Sequence, residues 1–174
     1  MKTVFLLRHA KSDWADEGRK DHERPLSERG KKAAPQMAAY IKSKKYRPDI
    51  VLCSTARRTV ETFDALKDVL GDDLMVRFED SIYLAEPHRL LERLTWLDDG
   101  VKSAMIIGHN PGMAQLAAQL SRSPEDSDEE KLHKRMREKF STGALAVIKI
   151  PINAWADLKE GKGRLADFMR PKDL

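Results

Sequence analysis

Short apolar runs alternate with amphipathic segments along the whole chain. The runs that predict strands are Thr3 to Leu7, Asp49 to Cys53, Leu74 to Phe78, Ala104 to Ile107, Ala144 to Ile150 and Leu165 to Met169. The segments with helical spacing of apolar residues are about Ser27 to Lys44, Val60 to Leu70, one from Pro87 onward and one after Gly112. Strands that alternate with helices in this way predict a three-layer α/β/α fold, with helices on both faces of a mostly parallel central sheet.

The composition is that of one ordinary domain. The chain has 174 residues, of which 41% are apolar and 34% are charged, and it has a single cysteine. A chain of this length can bury a core without disulfides, and its 5 histidines show no zinc-ligand spacing. We therefore expect a single domain over residues 1–174, with no metal and no other cofactor.

The apolar runs are too short for a membrane protein or a secreted one. None approaches the roughly 20 residues of a membrane helix, and the apolar start of the chain is shorter than the core of a signal peptide. We expect a cytoplasmic protein that has no membrane partner.

The charge pattern argues against a nucleic-acid partner. Lys and Arg total 32 against 28 Asp and Glu, a net charge of +4, and no aromatic stacking motif accompanies the basic residues. Residues 121–139 stand out because nearly all are charged, with acids first and bases after. We interpret them as an insertion that forms a solvated loop and an exposed helix. A lid or a docking surface for a partner is the alternative.

Three of the predicted strands end in side chains that carry chemistry. Arg8 and His9 follow the first strand, Arg57 and Arg58 follow the second, and His109 follows the fourth. Because the carboxyl ends of parallel strands line one edge of a sheet, these side chains are expected to converge. Guanidinium groups match phosphate oxygens, and a neutral imidazole can accept a phosphoryl group near neutral pH. The set predicts phosphoryl transfer.

Four motifs around these residues resemble those of the histidine phosphatase superfamily, which has the phosphoglycerate-mutase-like fold. The motifs, in order, are Leu7 to Ser12, Arg24 to Gly30, Cys53 to Thr59 with Thr62, and Gly108 to Gly112. The likeness covers nearly the whole chain and is greatest to the small SixA-like branch. It implies a phosphatase that works by double displacement through a phosphohistidine.

The resemblance also implies roles for individual residues. His9 would be the nucleophile, Arg8 would hold the phosphoryl group beside it, and His109 would bond the phosphoryl oxygens. Arg58 would be the second arginine of the site, because in the family this residue lies four positions after the serine of its motif. Arg57 has the weaker claim. The further substrate ligands implied are Ser12, Arg24 and Asn110.

Two departures from the family pattern bear on the mechanism. Ala10 replaces the glycine that usually follows the catalytic histidine, which is harmless only if its φ is below zero. The general acid that many relatives carry after the third strand has no clear match, and the nearest carboxylates are Asp80 and Glu86. The insertions with which relatives recognise sugar phosphates are also missing.

These observations favour a metal-independent phosphatase whose phosphate-bearing substrate is a phosphohistidine protein. A phosphatase of small-molecule phosphate esters is the alternative, and it depends on a general acid, which an ester's leaving group needs. A catalytically inactive phosphate-binding module is disfavoured because all four catalytic side chains are present. Trp14, in the polar loop before Arg24, is a candidate for the mouth of the pocket.

Overall fold

The structure is a computed structural model that describes residues 1–14 and 16–174. Within these residues one six-stranded sheet is formed by β1 (Lys2–Arg8), β2 (Ile50–Ser54), β3 (Met75–Glu79), β4 (Ser103–Gly108), β5 (Leu145–Ile150) and β6 (Arg164–Met169). Their order across the sheet is β3-β2-β4-β1-β5-β6. The first four strands in this order pair in parallel, and β5 is antiparallel to both of its neighbours. The sheet is mostly parallel, which confirms the prediction.

Helices cover both faces of the sheet. They are α1 (Glu28–Ser43), α2 (Arg57–Leu70), α3 (Pro87–Thr95), α4 (Gly112–Leu120) and α5 (Ser127–Glu138). Alternate side chains of β1 point to opposite faces, so Phe5 and Leu7 pack with α1 and α2, while Val4 and Leu6 pack with the other helices. These two apolar cores make the three layers. Among the described residues, no helix has the length and apolar character needed to cross a membrane.

Single 3₁₀ turns join several of these elements. They span Asp21–Glu23, Asp80–Ile82, Trp155–Asp157 and Pro171–Asp173. The first lies in the long loop between β1 and α1, and the second directly follows β3. The last ends the chain beside α1.

Local sequence explains where several helices begin and end. Ser27 precedes α1, and its hydroxyl accepts a hydrogen bond from the Gly30 amide at 3.1 Å, as expected of an N-cap. Gly71 follows α2 with a φ of 109°, which glycine adopts without strain. Asp126 caps α5 by accepting from two backbone amides of its first turn.

The charged segment 121–139 contains α5, which packs against β6. The face of α5 that carries Glu129, His133 and Met136 is buried, and the opposite face is exposed. Arg122 donates to the Glu129 carboxylate at 3.0 Å and ties the start of the segment to the helix. The segment is therefore only half solvated. Its packing on the sheet supports our proposal that residues 1–174 form one domain.

The carboxyl ends of three central strands meet at one edge of the sheet. Because β4 lies between β2 and β1, Arg8 pairs in register with Gly108, and Cys53 pairs with Ile107. The His9 amide donates to the Gly108 carbonyl at 3.1 Å and extends the ladder past the end of β1. The residues that follow β1, β2 and β4 are therefore neighbours in space.

Candidate active site

The three strand ends surround a pocket of about 300 Å³. Its lining includes Arg8, His9, Ser12, Arg24, Arg58, His109 and Asn110. The rings of His9 and His109 are neighbours in this lining, with their centroids 5.4 Å apart and their planes inclined by 53°. The structure thus brings together the residues to which the sequence analysis gave catalytic and substrate-binding roles.

His9 is buried at the end of β1 in a form suited to nucleophilic attack. Its Nδ1 lies 2.7 Å from the Ala10 carbonyl oxygen, and since a carbonyl only accepts hydrogen bonds, Nδ1 carries the proton. The lone pair of the neutral ring is then on Nε2. Burial above all, together with the charges of the neighbouring arginines, lowers the pKa of His9 to about 3, although the Ala10 bond opposes this shift.

We expect the His9 ring to stay neutral between pH 8 and pH 5. A histidine in the unfolded chain titrates near pH 6.5, whereas the pKa of folded His9 is about 3. Histidine side-chain NMR spectra recorded over this pH range measure the charge of the His9 ring. The urea-unfolded protein is the control. A His9 ring that becomes protonated with a midpoint above pH 5 would contradict the structure.

The same pKa difference links His9 to stability. The unfolded chain binds more protons than the folded one once the pH falls below about 6.5. The contribution of His9 therefore makes the free energy of unfolding decrease as the pH drops from about 6.5 towards 3.

Ala10 occupies its position without backbone strain. Among the non-glycine residues that the structure describes, only Lys45 and Leu84 have positive φ, so Ala10 meets the condition set by the sequence. The Ala10 amide donates to the Thr62 hydroxyl at 3.0 Å, and that hydroxyl donates to the Arg58 carbonyl at 2.7 Å. These bonds fix the backbone beside His9 against the first turns of α2.

Arg58 and His109 are held in contact within the pocket lining. Arg58 is 2% exposed, and its Nη2 lies 3.3 Å from Nδ1 of His109. Because a guanidinium only donates, Nδ1 accepts, and Nε2 of His109 donates to the Ser54 hydroxyl at 2.7 Å. Burial, and after it the charge of Arg58, lowers the pKa of His109 to about 3. His109 is therefore neutral as well.

Three buried guanidinium nitrogens in the pocket wall have no hydrogen-bond partner among the described residues. They are Nε of Arg8, Nη1 of Arg24 and Nε of Arg58. A buried donor without an acceptor is costly, and burial together with the charge of Arg58 lowers the pKa of both Arg8 and Arg24. Because all three arginines line the pocket, an oxyanion bound there would lie among three guanidinium groups. In the described part of the chain, no three His, Cys, Asp or Glu side chains are grouped so that they could hold a metal ion.

Asp21 and Tyr83 belong to the site, although sequence reasoning did not identify them. The Asp21 carboxylate accepts from Arg58 Nη2 and from Arg24 Nε, each at 3.1 Å, and from the Tyr83 hydroxyl. Burial acts to raise the pKa of Asp21, but these three neighbours outweigh it and lower the pKa below its ordinary value. Asp21 is therefore an ionised carboxylate that orients two arginines. Its spacing of three residues from Arg24 is the one local signal of this role.

Ser12, Arg24 and Asn110, the further substrate ligands implied by the sequence, all line the pocket. Ser12 is buried in the lining. Asn110 donates through Nδ2 to the Phe140 carbonyl at 2.9 Å and accepts from the Ala114 amide through Oδ1 at 3.2 Å, so its amide holds the start of α4. Trp14 lines the pocket, and the Arg24 guanidinium lies 3.3 Å from the centre of its indole ring.

The two carboxylates considered as general acids lie outside the pocket lining. Asp80 is exposed and accepts a hydrogen bond from the Thr55 hydroxyl at 2.5 Å. Glu86 precedes α3, and its carboxylate lies 3.3 Å from Nδ1 of His88, with 74% of its side chain exposed. The structure therefore places neither group beside His9.

Known proteins resemble this chain over most of its length. The family profile of the histidine phosphatase superfamily (branch 1) matches residues 4–83. An uncharacterized protein of Mycobacterium tuberculosis is 33% identical over 166 residues, which covers 95% of this chain and all of that protein.

Two solved structures share the whole fold. A protein assigned as the phosphohistidine phosphatase SixA of Agrobacterium tumefaciens is 32% identical, with a TM-score of 0.79 and 98% of each chain covered. Another assigned as SixA, from Nakamurella multipartitia, is 26% identical with a TM-score of 0.82, covering 98% of this chain and 96% of the other. Both likenesses span nearly the whole chain. The chain therefore belongs to the histidine phosphatase superfamily, with the phosphoglycerate-mutase-like fold, and is a phosphatase.

Proposed function

We propose that this phosphatase works without a metal through a phosphohistidine at His9, and that its substrate is phosphohistidine on a protein. The observation that carries the proposal is the buried, neutral His9, whose Nε2 lone pair lies in a pocket with three arginines. The similarity to proteins assigned as SixA phosphohistidine phosphatases supports the choice of substrate.

The proposed reaction has two displacements. In the first, Nε2 of His9 bonds to phosphorus while the bond from phosphorus to the protonated substrate imidazole breaks, and the imidazole leaves as a neutral ring. In the second, water attacks the phosphorus, the bond to Nε2 breaks, and inorganic phosphate leaves with both protons of the water, so that His9 returns to the neutral ring with its proton on Nδ1. The guanidinium groups of Arg8, Arg24 and Arg58, which line the pocket, bind the phosphoryl oxygens in both steps and stabilise the charge on them in the transition states.

The remaining residues prepare these groups. His109 contacts Arg58 and is close enough to the His9 ring to bond the same phosphoryl group once one of its own contacts is exchanged. Asp21 orients Arg24 and Arg58. Ser12 would add a hydroxyl to the phosphoryl site, and Asn110 would act at its edge while holding α4.

The ionisation of Asp21 favours a phosphoramidate over an alkyl ester. Among the described residues that line the pocket, Asp21 is the carboxylate, and its lowered pKa keeps it without a proton near neutral pH. An alkoxide is a poor leaving group unless an acid protonates it, and such help is typically worth roughly 100-fold to 10,000-fold. A protonated phosphohistidine already has a good leaving group. The pocket is therefore better suited to breaking a P–N bond.

We expect kcat/KM to be highest for phosphohistidine and phosphoramidate, lower for aryl phosphates and lowest for alkyl phosphates. The Asp80→Asn and Glu86→Gln variants are expected to retain most of their activity on phosphoramidate, because neither side chain lines the pocket. Phosphate release is measured for each substrate, with and without a chelator, which we expect to have no effect.

Two results would change this assignment. If either variant loses at least 100-fold on an alkyl ester but not on an aryl ester, that carboxylate is a general acid. The phosphatase of small-molecule esters then becomes the better description. Activity that disappears with the chelator would show that the reaction depends on a metal.

A further inference from the structure

A second groove borders the active-site pocket and shares part of its wall. The groove has a volume of about 350 Å³ and meets the pocket at Arg8, Lys11 and Thr142, which line both. Its cationic lining consists of Arg8, Lys11, Arg29, Lys139, Arg170 and Lys172, and no carboxylate lines it in the described part of the chain. A wall with one sign of charge beside a catalytic pocket attracts an anionic part of the substrate.

Four of these cations are exposed and make no ion pair with any residue that the structure describes: Lys11, Arg29, Lys139 and Lys172. Arg170 differs, because its guanidinium lies 2.7 Å from the Asp173 carboxylate and 3.7 Å from that of Glu138. Arg8 belongs to the phosphoryl site. The four exposed cations therefore give the groove a positive charge that an anionic ligand would neutralise.

The end of segment 121–139 forms one wall of the groove. Three acids of α5 are in its first turn, and its last turn carries Arg135, Arg137 and Glu138 and leads directly to Lys139. Arg135 lies 4.0 Å from Asp173, so the end of α5 is next to the chain's C-terminal turn, which carries Lys172. The end of α5 thus lies beside the groove, and Lys139 follows it directly in the lining.

We propose that this groove binds an acidic segment of the protein substrate while the substrate's phosphohistidine occupies the pocket. The proposal rests on the proposed function. A compact second phosphate group is best held by converging, buried guanidinium groups. The unpaired cations of the groove are instead exposed, mostly lysines and spread over about 350 Å³. That arrangement fits carboxylates distributed along a peptide.

The test compares two phosphohistidine peptides of equal length, one flanked by Asp and Glu and the other by Asn and Gln. We expect kcat/KM for the acidic peptide to be about tenfold higher at low ionic strength, and this preference to shrink as salt is added. The double variant Lys139→Glu/Lys172→Glu is expected to lose the preference. Turnover of small phosphoramidate should be unchanged in it, since neither lysine lines the catalytic pocket.

The matched control is the double variant Lys159→Glu/Lys162→Glu. It makes the same change in net charge at two exposed lysines that do not line the groove. We expect it to keep the preference for the acidic peptide. Equal kcat/KM for the two peptides in the wild type, or an equal loss in both double variants, would overturn the proposed docking surface and leave the phosphatase function intact.

A binding measurement separates failure of the groove from failure of the proposed substrate. Fluorescence anisotropy follows the binding of the acidic peptide without its phosphate to the wild type and to both double variants. If neither phosphohistidine peptide is turned over but the acidic peptide binds through Lys139 and Lys172, the proposed substrate is wrong and the groove still takes acidic segments. If a single-stranded oligonucleotide of equal charge binds more tightly than the acidic peptide at the same salt concentration, the groove is a nucleic-acid site and the proposal is wrong.

Discussion

The His9→Ala variant is expected to lose turnover of every phosphorylated substrate, with kcat lower by on the order of 10,000-fold or more. The reason is that Nε2 of His9 is the atom that forms the bond to phosphorus, and alanine offers no lone pair in its place. The arginines that would bind the phosphoryl oxygens are left intact. The variant should therefore still bind inorganic phosphate, and calorimetry measures this binding.

The covalent intermediate provides a direct measurement of the same role. Wild-type protein that is mixed with radiolabelled phosphoramidate and quenched rapidly should carry label on His9, in a linkage that is labile in acid and stable in alkali. The His88→Ala variant is a matched control, because His88 is exposed and lies outside the pocket lining. Label on another residue, or turnover by His9→Ala near the wild-type rate, would show that His9 is not the nucleophile.

The Arg58→Ala variant is expected to lower kcat/KM by about 100-fold or more, by analogy with the removal of an oxyanion donor. Arg58 is buried, lines the pocket and contacts His109 and Asp21. Arg57→Ala should change kcat/KM only a few-fold. Its side chain is exposed, and its Nε lies 3.3 Å from the carboxylate of Glu61 on the same helix.

A comparison with Arg58→Lys distinguishes the lost guanidinium from a lost charge. Lysine keeps the positive charge but not the planar pair of donors, so most of the loss in kcat/KM should persist in this variant. Thermal unfolding of all three variants checks that the fold is kept. If Arg57→Ala were the more damaging change, the assignment of the second arginine within its motif would be wrong by one position.

Most secondary-structure elements could be predicted because their signals are local. The strand predicted over Thr3 to Leu7 spans Lys2–Arg8 in the structure, and the helix predicted from Ser27 begins at Glu28 with Ser27 as its cap. Apolar periodicity and capping act within a few residues, so neither depends on the rest of the fold. The direction of charge along segment 121–139 was equally visible, but the burial of one face of α5 was not.

The sequence by itself determined the fold class and the convergence of Arg8, His9 and His109 with the pair Arg57–Arg58, because the carboxyl ends of parallel strands share one edge. The choice of Arg58 over Arg57 came from the family resemblance. Only the tertiary structure decided how these groups are ionised, since their pKa values depend on burial and on charges from other elements.

Only the tertiary structure likewise decided which distant segments of the chain contribute to the site. Asp21 and Tyr83 are 62 residues apart, and their hydrogen bond exists only because the loop after β1 packs against the turn after β3. The basic groove likewise combines β1, α1, the end of α5 and the C-terminal turn. A local pattern cannot encode such contacts, because they depend on how the layers pack against one another.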